Sequence, residues 1–112
     1  MGQRVHILEK RGPVLDPIEV SLFFDKVADI DLAKALSAPL TILRNVRQAL
    51  PSTKAVIGFS GSPWTIATYM IEGGKSVAFD RIKNHLKTKS PLFIQTMALL
   101  EKSIGTFLIS QI

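Results

Sequence analysis

Apolar and polar residues alternate at the start of the chain, and apolar residues recur at helical spacing over most of the remainder. Alternation over residues 4–9, then turn residues at 10–13 and the apolar pair Val14 and Leu15, predict a β-hairpin arm. A short apolar run at residues 55–57, rich in branched side chains, predicts a buried strand over residues 54–59. The remaining elements are predicted to be helices.

The first predicted helices are bounded by aspartates and prolines. Asp29 and Asp31 precede a short helical piece at residues 32–36, and this spacing is typical of helix capping rather than of a metal site. Pro39 suits the first turn of a second helix, which Pro51 ends. The apolar stripe predicted for this region consists of Leu36, Leu40, Leu43, Val46 and Leu50.

A third helix follows the predicted strand directly. Ser62 is a favourable N-cap, Pro63 a favourable first residue, and Gly73 with Gly74 a favourable C-terminal end. Strand, glycine-bearing loop and helix N-terminus in succession are typical of a ligand-facing turn in an α/β protein.

Two more helices complete the prediction. Ser76 is expected to cap the first of them, with Asp80 in its first turn and an apolar stripe of Phe79, Ile82 and Leu86. Ser90 and Pro91 are expected to begin the last one. Its stripe consists of Phe93, Met97, Leu100, Ile104 and Leu108.

Composition bounds the class of protein. With 112 residues, 46% of them apolar, the chain predicts one small packed domain. The absence of cysteine excludes disulfides, thiolate metal sites and cysteine nucleophiles. There is no apolar secretion signal, and Glu101 and Lys102 interrupt the longest apolar run before the roughly 20 residues of a membrane span. We therefore expect a cytoplasmic protein with no membrane partner.

The net charge of +5 indicates an anionic partner only weakly, because basic and acidic residues are interspersed. The densest basic run, from Arg81 to Lys89, is typical of a solvated helix face. Interleaved exposed aromatic residues are lacking, so no nucleic-acid partner is expected. His6 stands alone on the alternating segment and is interpreted as an exposed or structurally paired histidine.

The turn after the predicted strand holds the candidate chemistry. Gly58 and Gly61 allow the backbone to approach a ligand, and the following helix N-terminus suits a ligand carboxylate. On that helix Thr65, Tyr69 and Glu72 share one face, whereas Trp64, Ala67 and Ile71 share another. From periodicity alone, Trp64 and Tyr69 are more simply core-edge aromatic residues than ligand contacts.

Neither common nucleotide-binding motif fits. Gly74, Lys75 and Ser76 follow a helix rather than a strand, and Tyr69 stands where a phosphate-binding P-loop needs a glycine. The spacing of Gly58 and Gly61 does not match a dinucleotide fingerprint. No cofactor is expected.

Residues 58–74 closely resemble the signature of the uroporphyrinogen decarboxylase family. The Gly-Phe pair, the Pro-Trp-Thr triplet, Tyr69 and the Glu-Gly-Gly end all fall in register, and the flanking segments fit as well. The full stretch reads GFSGSPWTIATYMIEGG. The resemblance implies an α/β fold, namely part of a (β/α)₈ TIM barrel: about two βα units plus the N-terminal hairpin arm. Residues 1–112 are thus interpreted as a single segment of such a barrel, an interior fragment incomplete at both ends.

The resemblance also implies an activity. The family decarboxylates the four acetate side chains of uroporphyrinogen III to give coproporphyrinogen III, without a cofactor or metal, in haem and tetrapyrrole biosynthesis. Its members are expected to be cytoplasmic homodimers with an anionic porphyrinogen as substrate. Of the family's active-site residues only Tyr69 maps onto this sequence, as a substrate-binding residue. No certain catalytic residue is present, so the chain is expected to be inactive alone.

Two alternatives remain open. A non-catalytic binding or scaffold remnant of the barrel would keep the fold without the reaction. A corrinoid or thiol methyltransferase relative would need zinc held by His and Cys, and the lack of cysteine disfavours it.

Overall fold

A computed structural model describes residues 4–9, 12–27, 30–73 and 78–112. These residues form a two-stranded antiparallel sheet and five helices, which gives the chain α/β character. The elements are β1 (Val5–Leu8), β2 (Gly12–Leu15), α1 (Val20–Val27), α2 (Leu32–Ala49), α3 (Pro63–Glu72), α4 (Asp80–Lys87) and α5 (Pro91–Ile109).

The predicted hairpin is confirmed. β1 pairs antiparallel with β2, with Val5 opposite Leu15 and Leu8 opposite Gly12. A ring nitrogen of His6 lies 3.0 Å from a carboxylate oxygen of Asp16, and both side chains are more than half exposed. His6 is therefore the exposed, paired histidine that the sequence predicted.

Helix α1 was not predicted, because Phe23 and Phe24 stand beside Asp25 and the segment shows no clear apolar pattern. Its inner face carries Val20 and Phe23, which are both buried against the rest of the core. The cap of the following helix is confirmed, since the Asp31 carboxylate accepts the Lys34 amide at 3.1 Å. Asp29 lies outside the described residues.

The division of α2 into two helices is wrong. One helix runs over Leu32–Ala49 with Pro39 inside it, although proline has no N–H to bond the Ala35 carbonyl. Upstream of Pro39 the sequence is rich in Ala, Leu and Lys, which favour helix strongly enough to continue it. The predicted apolar stripe exists, but no residue of α2 is buried.

The predicted strand over residues 54–59 is also wrong for this structure. The segment has no strand conformation, and among the described residues no backbone–backbone hydrogen bond joins residues 55–59 to another segment. A strand is stabilised by its neighbours, and the described part of the chain contains no parallel strand beside it. Consequently Ile57 is 87% exposed where a buried strand was expected.

The remaining helices fit their predictions more closely. α3 has Ser62 as N-cap, Pro63 as first residue and Gly73 as a left-handed C-cap. α4 begins at Asp80, but its N-cap is Phe79, and the predicted cap Ser76 lies outside the described residues. Helix α5 begins after Ser90 as predicted, although the Ser90 side chain makes no capping bond.

The core lies between α1, α3, α4 and α5. Its buried members are Val20, Phe23, Ala67, Met70, Ile71, Ile82, Phe93, Leu100 and Ile104. Four of these belong to the predicted stripes of α4 and α5, and three belong to α3. The predicted stripe residues Phe79, Leu86 and Leu108 are exposed.

Helix α5 is long and apolar enough, by length and composition, to cross a membrane. The expectation that no segment reaches this length was therefore wrong. A core helix of a soluble protein passes the same test, and α5 buries Phe93, Leu100 and Ile104 in the core. Core packing accounts for only part of the apolar composition of α5, since 28% of the membrane-length window is buried and Ile94 and Ile109 are exposed.

Candidate functional site

The candidate site is built on the turn into α3. The Ser62 hydroxyl accepts a hydrogen bond from the Thr65 amide at 3.2 Å and lies 3.0 Å from the Thr65 hydroxyl. Pro63 occupies the first helical position, where its missing N–H costs nothing. The helix start is thus fixed by its own sequence, independently of any ligand.

The loop before this helix is held by a residue from the far end of the chain. The Phe59 amide donates to the Gln111 carboxamide oxygen at 3.0 Å, and the Gln111 nitrogen lies 3.5 Å from the Phe59 carbonyl. A side chain at Gly58 would overlap that carboxamide oxygen. The close backbone approach that Gly58 permits is therefore used, in this structure, by Gln111.

Sequence reasoning missed Gln111. It lies 52 residues from Phe59 along the chain, and no local pattern around it indicates a role. Its carboxamide presents an acceptor oxygen and a donor nitrogen to the Phe59 backbone, as the peptide groups of a neighbouring strand would. Gln111 thus replaces part of the strand pairing that residues 54–59 lack.

The predicted face on α3 is only partly exposed. Ala67 and Ile71 are each 1% exposed and form the core side of the helix. On the other face Thr65 is exposed, whereas Tyr69 and Glu72 are half-buried. Trp64, predicted to share a face with Ala67 and Ile71, is 42% exposed. This position gives Tyr69 partial access to solvent, and its binding role remains a prediction.

The C-terminal end of α3 is the most constrained part of the site. Gly73 has a φ of +81°, and a Cβ there would lie 2.6 Å from the Pro17 ring and 2.9 Å from the Leu15 carbonyl oxygen. The Gly73 carbonyl accepts the Leu15 amide at 2.8 Å. Glycine is therefore required both by the backbone angle and by contact with the hairpin arm. Gly74 lies outside the described residues.

A groove of about 700 Å³ lies beside the loop, between α2, residues 55–58 and the C-terminal residues. Leu40, Leu43 and Val56 give it apolar walls, and Arg44 and Arg47 give it positive charge. Arg47 is already bound, because its guanidinium donates to the carbonyls of Leu50, Pro51 and Lys54 at 2.6–3.2 Å. These bonds satisfy the carbonyl of the C-cap residue Leu50 and two carbonyls of the loop that follows α2.

The lysines of the basic run from Arg81 to Lys89 form a solvated face, as predicted. Lys83, Lys87 and Lys89 are exposed, and Lys83 donates to the Ala78 carbonyl at 2.7 Å. His85 instead stacks on Phe93 with ring centroids 5.6 Å apart. Within the described part of the chain, no group of three or more His, Cys, Asp or Glu side chains is arranged to hold a metal ion.

Comparison with known proteins agrees with this signature. The family model for uroporphyrinogen decarboxylase (URO-D) matches residues 1–112, the full length of the sequence. The chain belongs to the uroporphyrinogen decarboxylase family, which has a TIM-barrel fold.

Curated relatives carry the same name. Uroporphyrinogen decarboxylases from Rhodospirillum rubrum and Hamiltonella defensa are each 36% identical to this chain, and one from Vibrio cholerae is 35% identical. In each case the match covers 100% of this chain and 32% of the relative. The chain therefore spans about a third of the length of the curated relatives it matches.

Proposed function

We propose that this chain supplies part of the substrate cavity of a uroporphyrinogen decarboxylase, the carboxy-lyase that converts uroporphyrinogen III to coproporphyrinogen III. The observation that carries the proposal is the family match across residues 1–112. Within that match, the signature residues form a defined unit of loop, capped helix and left-handed glycine. A cytoplasmic location is proposed with it, since the family consists of soluble biosynthetic enzymes.

The reaction explains what such a cavity must do. Protonation of a pyrrole carbon turns the ring into an electron sink, so that the attached acetate can lose carbon dioxide. A protein accelerates this step by stabilising the developing pyrrole cation with a carboxylate and by holding the anionic acetates with arginines and polar donors. Of these groups, the resemblance carries only a polar donor, Tyr69, onto this sequence.

Tyr69 is proposed to donate a hydrogen bond from its phenol to the reacting acetate and to position it. The half-buried setting of Tyr69 supports this role, because the apolar part of the ring can pack while the hydroxyl meets a ligand. Residues 59–62 are proposed to line the same cavity, as the loop directly before α3. We propose that the chain alone forms no coproporphyrinogen.

The barrel itself is also part of the proposal. Residues 54–59 are proposed to become a strand when parallel neighbours from the rest of a (β/α)₈ barrel lie on both sides. The exposed Ile57 and Phe59 support this, since a barrel strand would bury such side chains. The unburied apolar stripe of α2 would pack on the same sheet. Assembly of the complete barrel as a homodimer follows the family expectation.

The test is a complementation assay. The chain is incubated with uroporphyrinogen III alone, and also after co-expression with the Rhodospirillum rubrum enzyme from which the matching third has been deleted. We expect coproporphyrinogen III only from the co-expressed pair, because each part then supplies what the other lacks. Turnover by the chain alone would contradict the proposed inactivity, and no turnover from the pair would contradict its contribution to the cavity.

A matched variant isolates the site. Tyr69→Phe removes only the phenol hydroxyl and should lower the turnover of the pair about tenfold or more, since one transition-state hydrogen bond is lost. Phe107→Tyr is the control, because it adds a hydroxyl on α5 away from the signature and should leave turnover unchanged. Equal turnover by Tyr69→Phe and the unaltered chain would remove Tyr69 from the site.

A non-catalytic binding or scaffold role is the second candidate. One observation favours it: α1, α3, α4 and α5 build a shared core from the described residues alone. A sharp, reversible melt of a monomer, together with failure of the complementation assay, would favour this role over the decarboxylase.

A further inference from the structure

The end of α3 and the start of α4 are joined by two side chains, each of which binds the backbone of the other helix. A carboxylate oxygen of Glu72 accepts a hydrogen bond from the Ile82 amide at 3.1 Å. In return, the Arg81 guanidinium donates to the Ile71 carbonyl at 2.7 Å. These two reciprocal bonds form what we call the α3–α4 clamp.

Each side chain of the clamp carries the charge that its partner helix end favours. The C-terminus of a helix bears partial negative charge, and Arg81 places a cation on a carbonyl of the last turn of α3. The N-terminus bears partial positive charge, and Glu72 places an anion on an amide of the first turn of α4. Both bonds are therefore charge-assisted and are stronger than neutral ones.

The last turn of α3, which carries Tyr69, has its carbonyl groups satisfied from several directions. A helix leaves its last carbonyls without partners inside the helix, and such groups must be met elsewhere. The described partners are the Gly73 amide for the Tyr69 carbonyl, the Ile18 amide for Met70 and the Arg81 guanidinium for Ile71. The turn is thereby tied to α4 and to the segment after the hairpin at once.

An ion pair extends the clamp. The other terminal nitrogen of Arg81 lies 3.2 Å from a carboxylate oxygen of Glu19, which directly precedes α1. Arg81 thus connects α3, α4 and the segment that leads into α1. Few changes in the orientation of α3 could preserve all of these contacts.

We infer that Glu72 and Arg81 are positioning residues for Tyr69, because they fix the turn of α3 from which its side chain projects. The clamp rests on the distances above, whereas its value for substrate binding rests on the proposed function. Within the signature, this inference gives Glu72 a task distinct from contact with substrate.

The test uses three variants of the full chain. Glu72→Ala removes the carboxylate, Glu72→Gln keeps an acceptor oxygen, and Glu101→Ala is the control on the exposed side of α5. Amide exchange at Ile82 and the ring resonances of Tyr69, the sole tyrosine, are measured on the chain. Affinity for uroporphyrin III, an air-stable probe, is measured on the co-expressed pair of the complementation assay.

We expect Glu72→Ala to speed exchange of the Ile82 amide about tenfold, because a bond to a charged acceptor is lost. It should also shift the Tyr69 ring resonances. Uroporphyrin affinity should weaken roughly fivefold, since a displaced Tyr69 phenol loses part of its hydrogen bond to the ligand. In the Glu72→Gln variant each quantity should lie close to its value in the unaltered chain, and Glu101→Ala should change none of them.

The outcomes separate the clamp from the function. Rapid Ile82 exchange in the unaltered chain, or Tyr69 resonances that Glu72→Ala leaves unmoved, would overturn the positioning role. A lower melting temperature alone, with unchanged Tyr69 resonances, would mean that Glu72 is only structural and would also overturn it. Shifted resonances together with a co-expressed pair that never binds uroporphyrin would support the clamp and count against the proposed function.

Discussion

The two ends of the signature stretch, which contains the loop and helix α3, are held in opposite ways. At the C-terminal end of α3, Gly73 and the α3–α4 clamp bind the hairpin and α4 through short backbone contacts, and the adjoining Ile71 is fully packed. At the N-terminal end, residues 55–59 are exposed except for the partly buried Val56, and within the described part of the chain the side chain that binds their backbone is Gln111, at Phe59. The difference shows that the signature's helix is completed by the described residues, whereas its leading segment requires neighbours that they do not provide.

The largest expected difference between the two ends is in side-chain burial. Ile71→Ala should lower the free energy of unfolding by about 3 kcal/mol, because it leaves a cavity in the core. Ile57→Ala is the matched control and should change it by less than about 0.5 kcal/mol, because Ile57 is exposed. Urea unfolding measures both. Equal losses would mean that residues 55–59 are packed in solution and would break the comparison.

Glycine substitution sharpens the contrast at the C-terminal end. Gly73→Ala should cost about 2 kcal/mol, because a left-handed angle and contact with Pro17 are both unfavourable for a Cβ. Gly105→Ala lies in the α5 helix with nothing within 4 Å of the added carbon, and should stabilise by about 1 kcal/mol. Thermal melts of the two variants should move in opposite directions, and a shared direction would refute the constraint at Gly73.

The single contact at the N-terminal end can be tested directly. Gln111→Ala should speed exchange of the Phe59 amide roughly fivefold, corresponding to about 1 kcal/mol for one hydrogen bond. Gln95→Ala, an exposed glutamine on α5, should leave this amide unaffected. If Phe59 exchanges at the same rate in all three proteins, Gln111 does not hold the loop.

The smallest expected effect concerns the turn between α4 and α5. Lys89 has a φ of +47° where helix ends favour glycine, and the bonds from Lys89 to Leu86 and from Ser90 to His85 form a Schellman motif. Lys89→Gly should therefore stabilise by about 0.5–1 kcal/mol. Lys87→Gly, inside α4, should destabilise by a similar amount of about 0.5–1 kcal/mol. Opposite shifts in urea midpoint would confirm the assignment of the turn.

Local signals predicted the elements whose ends depend on a few neighbouring residues. Ser62, Pro63 and Gly73 bound α3 as expected, and Asp31 caps α2. The predicted helix boundary at Pro39 was wrong because proline weakens a helix at one position, whereas the residues before it favour helix at many positions. The predicted strand at residues 54–59 was wrong for a different reason, since strand formation depends on partners outside the segment.

The candidate site was predictable only in part. The signature identified α3 and Tyr69, because residue identity at fixed spacing is readable without coordinates. The contacts of Gln111 with Phe59, and of Glu72 with Ile82, depend on how separate segments pack, and the sequence around these residues contains no sign of them. Such contacts become visible only once the helices are placed in space.

The segment at residues 55–59, exposed except at Val56, also has a consequence for the handling of this protein. Its five residues include no charged residue and no proline. The segment is preceded by the charged Lys54 and followed by the uncharged Ser60. Uncharged β-branched segments with free backbone groups pair readily with identical segments of other molecules. Self-association should therefore rise steeply with protein concentration, so that dilute conditions, or a charge introduced at Ile57, would keep the chain dispersed.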